Sequence, residues 1–288
     1  MKSLVVGVAL CALQACTHVP SLRQERAPVV QADSTGPVEP SPERRDFNAT
    51  LAEGQIVTID NPYGDVRLRF GGYAHALEIN AVVQQPAAAA PIEWEQTRNQ
   101  EHYVFSPRLP AGAKLAEEQR VDLVAFVPLG HAVIVRTESG LIESRGLRGD
   151  IDLGTVTGSI AVRGTQGRVQ ARTGIGNIEA SFDTAPPGSR QRLETTTGDI
   201  VLAIDDHLDA ELVLASSGVF ATEFSLDVER LAGQEPNKRA RAVVGTDDRK
   251  ARIDISSRRG EIRLLRRSAF TSPGGKPVEQ EQEDADSD

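Results

Sequence analysis

The chain is 288 residues long and acidic, with a formal net charge of −9, a pI near 5.2, 25 glycines and 4% aromatic residues. Net acidity argues against nucleic acid as a partner, because that calls for a basic stripe and the arginines here are scattered. The only cysteines, Cys11 and Cys16, sit near the amino terminus, and Cys11 falls within a signal-like stretch, so no disulfide is expected within the mature chain.

Residues 1–15 read as a secretory signal, with Lys2 followed by an apolar stretch from Leu4 to Leu13. That stretch is too short to span a bilayer, which takes about 20 residues. It ends in Leu13-Gln14-Ala15-Cys16, which resembles the bacterial lipobox, although glutamine is a less usual residue before the small one. The resemblance implies that Cys16 is the lipid-attachment site and the first residue of the mature chain. The alternative is plain secretion with cleavage near Ala15, which leaves an unpaired thiol in an oxidising compartment. Lipid on Cys16 would make a membrane the first partner and place the protein at the bacterial cell envelope, at the outer membrane or in the periplasm.

From residue 16 to 45 the chain is rich in Pro, Gln, Ser, Arg and Glu and poor in large apolar residues, so a disordered tether is expected. Residues 46–134 are β-like but less regular. Alternation is visible in Leu77-Ile79-Ala81-Val83 and in Val121-Leu123-Ala125-Val127, with Pro- and Ala-rich breaks at 86–91 and 107–113. They read as the irregular leading end of a single domain over residues 46–268. After it, residues 269–288 close in EQEQEDADSD, an acidic tail expected to be disordered and solvated.

The body of that domain carries a repeat. Gly140, Gly149, Gly158, Gly167 and Gly176 lie nine residues apart, and each opens a phrase of Gly, any residue, Ile or Val, any residue, and a small or apolar residue. Residues 145–162 and 163–180 align without a gap, so the unit is 18 residues. Its longer form recurs as LETTTGDIVL (193–202), VLASSGVFAT (213–222) and ISSRRGEIRL (255–264), with a weaker copy, IDNPYGDVRL, at 59–68. Within each phrase the side chains alternate with a period of two, the pattern of a strand with one buried face. Ile142, Ile151, Ile160, Val169, Ile178, Ile200, Phe220 and Ile262 are predicted to point inward. Asp150, Ser159, Arg168, Asn177 and Asp199 are predicted to point outward.

Phrases of five residues separated by four leave room for a strand and a corner but not for a helix, where each glycine would cost about 1 kcal/mol. The expected fold is therefore all-β, a parallel β-solenoid with coils of 18–22 residues. Stacking in register would put Ile142, Ile160, Ile178 and Ile200 in one column and Ser139, Thr157, Thr197 and Ser217 in a hydroxyl ladder. It would also make Asp150 and Arg168 neighbours. An antiparallel sandwich is the alternative, though it has no need of an exact spacing. Arg266 and Arg267, after the last phrase, are expected to guard an open end.

No constellation for chemistry stands out. The five histidines (18, 75, 102, 131 and 207) show no metal spacing, Gly174-Ile175-Gly176 has Glu179 where a dinucleotide fingerprint needs glycine, and no nucleophile elbow is present. Asp205-Asp206-His207 and Asp247-Asp248 read as turns. No catalytic residue, cofactor or metal is expected. Residues 84–120, 181–192 and 205–212 are the loops where a hidden site would have to lie.

The phrases from TESGLIES through GNIEA, with TTTGDIVL and the lead-in VDLVAFVPLGHAVIV, resemble the bacterial putative-adhesin family of β-strand-repeat proteins over roughly residues 46–266. The resemblance implies a β-solenoid body at the cell surface, without a defined ligand and without catalytic residues to transfer. The expected function is that of a non-catalytic, envelope-anchored lipoprotein used for adhesion or envelope interaction, with a glycan or protein partner. The alternatives are a polysaccharide-acting β-helix enzyme, which needs clustered carboxylates on neighbouring outward columns, and a self-assembling envelope scaffold.

Overall fold

Alternating side chains along short strands, and glycine at the corners between them, dictate two packed sheets. The computed structural model describes residues 42–246 and 250–267, and all of its regular structure there is β. The leading strands are β1 (Glu43–Thr50), β2 (Ile56–Asp60), β3 (Val66–Phe70), β4 (Ala76–Gln84), β5 (Glu93–Arg98), β6 (His102–Arg108) and β7 (Arg120–Val127). The repeat supplies β8 (Val133–Ser139), β9 (Ile142–Arg145), β10 (Ile151–Thr157), β11 (Ile160–Arg163), β12 (Val169–Ile175), β13 (Ile178–Phe182), β14 (Arg190–Thr197) and β15 (Ile200–Ile204). The last six are β16 (Ala210–Ser216), β17 (Phe220–Thr222), β18 (Asp227–Arg230), β19 (Lys238–Val244), β20 (Ala251–Ser257) and β21 (Ile262–Arg266).

They form two large mixed sheets in which most neighbours are parallel. The first runs β1-β4-β7-β3-β9-β11-β13-β15-β21-β17, the second β18-β19-β16-β20-β14-β12-β10-β8-β2-β6-β5. From β8 to β15 the chain alternates between the sheets, and each strand pairs in parallel with the strand two later. The ends depart from the single parallel series that the period predicts. Antiparallel pairs β1–β4, β4–β7 and β5–β6 finish one end, and β16–β19 and β18–β19 the other.

The register of the central repeats is the predicted one. Ile142 pairs with Ile160, Ile160 with Ile178, and Ile178 with Ile200. The weak upstream copy joins the same column, where Val66 pairs with both Leu123 and Ile142. These side chains are almost completely buried between the sheets, and each contributes on the order of 1.5–3 kcal/mol through lost contact with water. Asp150 and Arg168 do meet, with the Arg168 amide donating to Asp150 Oδ1 at 2.8 Å and the side chains 3.5 Å apart.

Three expectations need correction. First, the repeats do not stack in chain order. The last phrase, 255–264, inserts between its two predecessors: Ile262 pairs with Ile200 on one side and with Phe220 on the other. Ile262 is therefore fully buried, while Phe220 at the outside is only half-buried. Because β17 covers β21, Arg266 and Arg267 guard no open edge; they pair instead with Asp206 and Asp183.

Second, the hydroxyl ladder lies upstream of the predicted one, by two residues at Ser139, Thr157 and Thr197 and by one at Ser217. Ile175 stands between Thr157 and Thr197, and that column is exposed. The buried ladder is Thr137, Thr155, Thr173, Thr195, Ser257 and Ser216. Several of its hydroxyls reach the corners. Thr173 donates to the Gly158 carbonyl at 2.8 Å, Thr195 to Gly176 at 2.9 Å and Ser257 to Gly198 at 2.7 Å.

Third, residues 84–120 are not one loop, since β5 and β6 lie within them. Phe47 packs on Trp94 and on Phe105, each with ring centroids 4.9 Å apart, and this aromatic cluster closes the leading end of the core.

The corner glycines also stack. At Gly176, φ is +148°, and a Cβ there would overlap the carbonyl of Gly158; the same holds for Gly158 over Gly140 and Gly198 over Gly176. Successive corners thus approach closer than any side chain permits, which is why the period is written in glycine.

Candidate functional site

The outward columns of the second sheet carry a groove of about 720 Å³. It crosses β2, β8, β10, β12, β14 and β20 at right angles to the strands, a run of about 24 Å at the usual strand spacing. Register builds its floor. One outward column reads Arg136, Gly154, Arg172, Glu194, Ser256, and two residues further along the strands come Glu138, Val156, Gly174, Thr196 and Arg258. Asp60 and Arg108 stand at one end, and Pro236, from the turn between β18 and β19, at the other.

The glycines shape the depression. A Cβ on Gly154 would lie 3.1 Å from Cδ of Arg136, so the absence of a side chain lets that arginine lie flat across the strand. Arg136 donates to the carbonyl oxygens of Val135 and Asp152, at 2.8 and 2.9 Å, and pairs with the Asp152 carboxylate at 3.1 Å. Arg172 pairs with Glu194 at 2.9 Å, and Arg108 bridges Asp60 at 2.8 Å and Glu95 at 3.4 Å. Val156 is 63% exposed and gives the groove an apolar step.

Of the groove carboxylates Asp60, Glu138, Asp152 and Glu194, all but Glu138 thus face a guanidinium. The groove offers paired charges, hydroxyls and a little apolar surface along a line, an arrangement that suits binding of an extended ligand.

The candidates named from the sequence are dispersed by the fold among separate turns and corners. Asp205 Oδ1 accepts hydrogen bonds from the His207 amide and ring Nδ1, each at 2.9 Å, and these hold its carboxyl below the ordinary range. The His207 side chain is 96% exposed, and Asp206 is bound to Arg266, so this turn encloses no substrate. Gly176 is a corner, whereas Gly174 lies within β12, one residue before its end. Cys16, His18 and the Asp247-Asp248 pair lie outside the described residues.

The fold does bring together two histidines that are 56 positions apart in sequence. His75 Nδ1 lies 3.3 Å from His131 Nε2, with the rings nearly perpendicular. Spacing rules that look for close ligand pairs pass over such a contact. No group of three or more His, Cys, Asp or Glu side chains that could hold a metal occurs among the described residues, and no helix among them is long and apolar enough to cross a membrane.

Solved bacterial structures are similar to this chain. One is a putative cell adhesion protein from Clostridium sporogenes, 9% identical, with a TM-score of 0.45 over 78% of this chain and 100% of that one. Another is a putative adhesin from Bacteroides fragilis, 11% identical, with a TM-score of 0.35 over 78% of this chain and 99% of the other. A putative adhesin from Parabacteroides distasonis is 8% identical, with a TM-score of 0.26 over 77% and 97%. No protein-family profile and no curated protein matches the sequence.

Proposed function

We propose that this protein is a non-catalytic envelope lipoprotein, anchored through lipid on Cys16, whose β-solenoid body binds an extended envelope polymer along the groove of the second sheet. The solenoid reading is supported by the parallel register from β8 to β15. The binding reading rests on one observation above all: a continuous groove crosses six strands, and most of its carboxylates are already neutralised by arginine. A linear polymer laid along that line meets a different side chain at each strand, Arg136, Arg172, Glu194 and Ser256 among them.

The test is to probe the full chain, in detergent, against an array of bacterial envelope glycans. Thr196→Trp fills the groove from an exposed position and is expected to abolish binding, whereas Arg263→Ala on the outer face of the first sheet leaves it intact. Equal binding by wild type and Thr196→Trp sinks the groove assignment. Any shortening of a bound glycan sinks the non-catalytic reading.

A further inference from the structure

Position 131 is where the repeat breaks its own rule. Counting back 18 residues from Gly167 gives Gly149, and 18 more gives His131. The stacking agrees with the count, since a Cβ on Gly167 would overlap the Gly149 carbonyl and one on Gly149 the His131 carbonyl. The first corner of this column therefore carries an imidazole where its successors carry nothing.

That imidazole is 3% exposed and held from behind. His131 Nδ1 lies 2.7 Å from the carbonyl oxygen of Gln55, an acceptor, so Nδ1 carries the hydrogen and Nε2 keeps its lone pair. Gln55 is itself fixed. Its Nε2 donates to the carbonyls of Asn99 and His102, at 2.6 and 3.4 Å, and its Oε1 accepts from the Ala52 amide at 3.2 Å. A backbone carbonyl that sets the tautomer of a histidine is the support that metal-binding histidines ordinarily have.

His131 Nε2 faces His75, on the turn between β3 and β4, and lies within hydrogen-bond distance of its Nδ1; a bound ion would take the place of that hydrogen bond. That turn is tied to the β7–β8 turn, which carries His131, by the Leu129 amide donating to the Gly72 carbonyl at 2.9 Å. A second bond, from the Leu51 amide to the His75 carbonyl at 2.8 Å, fixes the same turn to the end of β1. The two ring nitrogens stand 3.3 Å apart. Two ligands about 2.0–2.1 Å from a tetrahedral zinc ion are separated by about 3.3 Å, so the spacing is that of one edge of the coordination sphere. The exposed His75 ring can tilt to aim its lone pair at the ion while the buried ring stays in place.

We propose that His75 Nδ1 and His131 Nε2 bind a late first-row transition-metal dication such as zinc or copper, with its remaining positions open to solvent. Imidazole ligands suit these ions and discriminate against calcium and magnesium, which want oxygen. A two-histidine site leaves coordination positions for an outside ligand.

Two measurements on the full chain in detergent test this. The first is calorimetric titration with zinc, in which His75→Ala is expected to weaken binding at least tenfold and His207→Ala to leave it unchanged. His75 is exposed, so its replacement does not endanger the core. The second is the electron paramagnetic resonance spectrum with one equivalent of copper(II), where coupling to two imidazole nitrogens is expected in the wild type and should be reduced in His75→Ala. The proposal is overturned if the wild type does not take up zinc at sub-millimolar concentration. It is equally overturned if His75→Ala binds zinc as tightly as the wild type, or if the copper spectrum is the same in both.

Discussion

The hydroxyl of Thr195 donates to the carbonyl oxygen of Gly176 at 2.9 Å, so a side chain in one repeat clamps the corner of the repeat before it. Thr173 does the same to Gly158, and Ser257 to Gly198. Thr155, in the same column, is buried with its hydroxyl unpartnered. Valine has nearly the shape of threonine without the hydroxyl. Thr195→Val is therefore expected to cost about 1 kcal/mol, and Thr155→Val to be neutral or stabilising, because a buried donor without an acceptor carries a desolvation penalty. Denaturant melts of the two variants check this, and equal losses would refute the clamp.

The corners predict a sharper contrast. Gly176→Ala puts a methyl group into the Gly158 carbonyl at a backbone angle that side chains rarely adopt, and should cost about 3 kcal/mol through strain and overpacking. Gly188 has φ of +70° with nothing within 4 Å of its would-be Cβ, so Gly188→Ala should cost about 1–2 kcal/mol, the left-handed penalty alone. Thermal unfolding distinguishes them, and a ranking in the opposite order contradicts the stacked corners.

Ile160 and Ser159 test the register. Ile160→Asp places an unpaired charge between the sheets and should unfold the domain, since Ile160 is 1% exposed and flanked by Ile142 and Ile178. Ser159→Asp, one residue away and partly exposed, should change stability by less than about 0.5 kcal/mol. Circular dichroism of both proteins is sufficient to decide.

Cys16 tests the anchor. Intact-mass measurement of the protein recovered from bacterial membranes should show a lipid-modified amino terminus at Cys16, and Cys16→Ser should release the chain from the membrane or leave the precursor unprocessed. An unmodified mature terminus on the wild-type protein would falsify the lipoprotein assignment.

Much of this architecture is determined by the sequence itself. Alternation over five residues decides which side chains face inward, and the glycine spacing decides where the corners fall. Both are local properties, set by strand geometry and by sterics within one 18-residue unit, and so Ile142, Ile160, Ile178 and Ile200 could be aligned by counting. The columns on the outer face follow from the same count, and Asp150 meets Arg168 as it requires.

What only the tertiary structure decided depends on contacts between distant segments. VLASSGVFAT and ISSRRGEIRL both fit beside LETTTGDIVL, and no local pattern chooses between them. The fold places the five-residue strand β21 inside, where Ile262 is sealed, and leaves the three-residue β17 at the edge. β16 must also accept β19 on its outer side, which puts β20 between β14 and β16. The groove arises because side chains from six strands converge on it, and Pro236 reaches its end from the β18–β19 turn. His75 and His131 meet because two turns are tied together at one end of the sheets. Short-range periodicity specifies a repeat unit, but the pairing of units far apart in the chain is settled by which arrangement buries the most apolar surface and leaves the fewest strand edges unpaired.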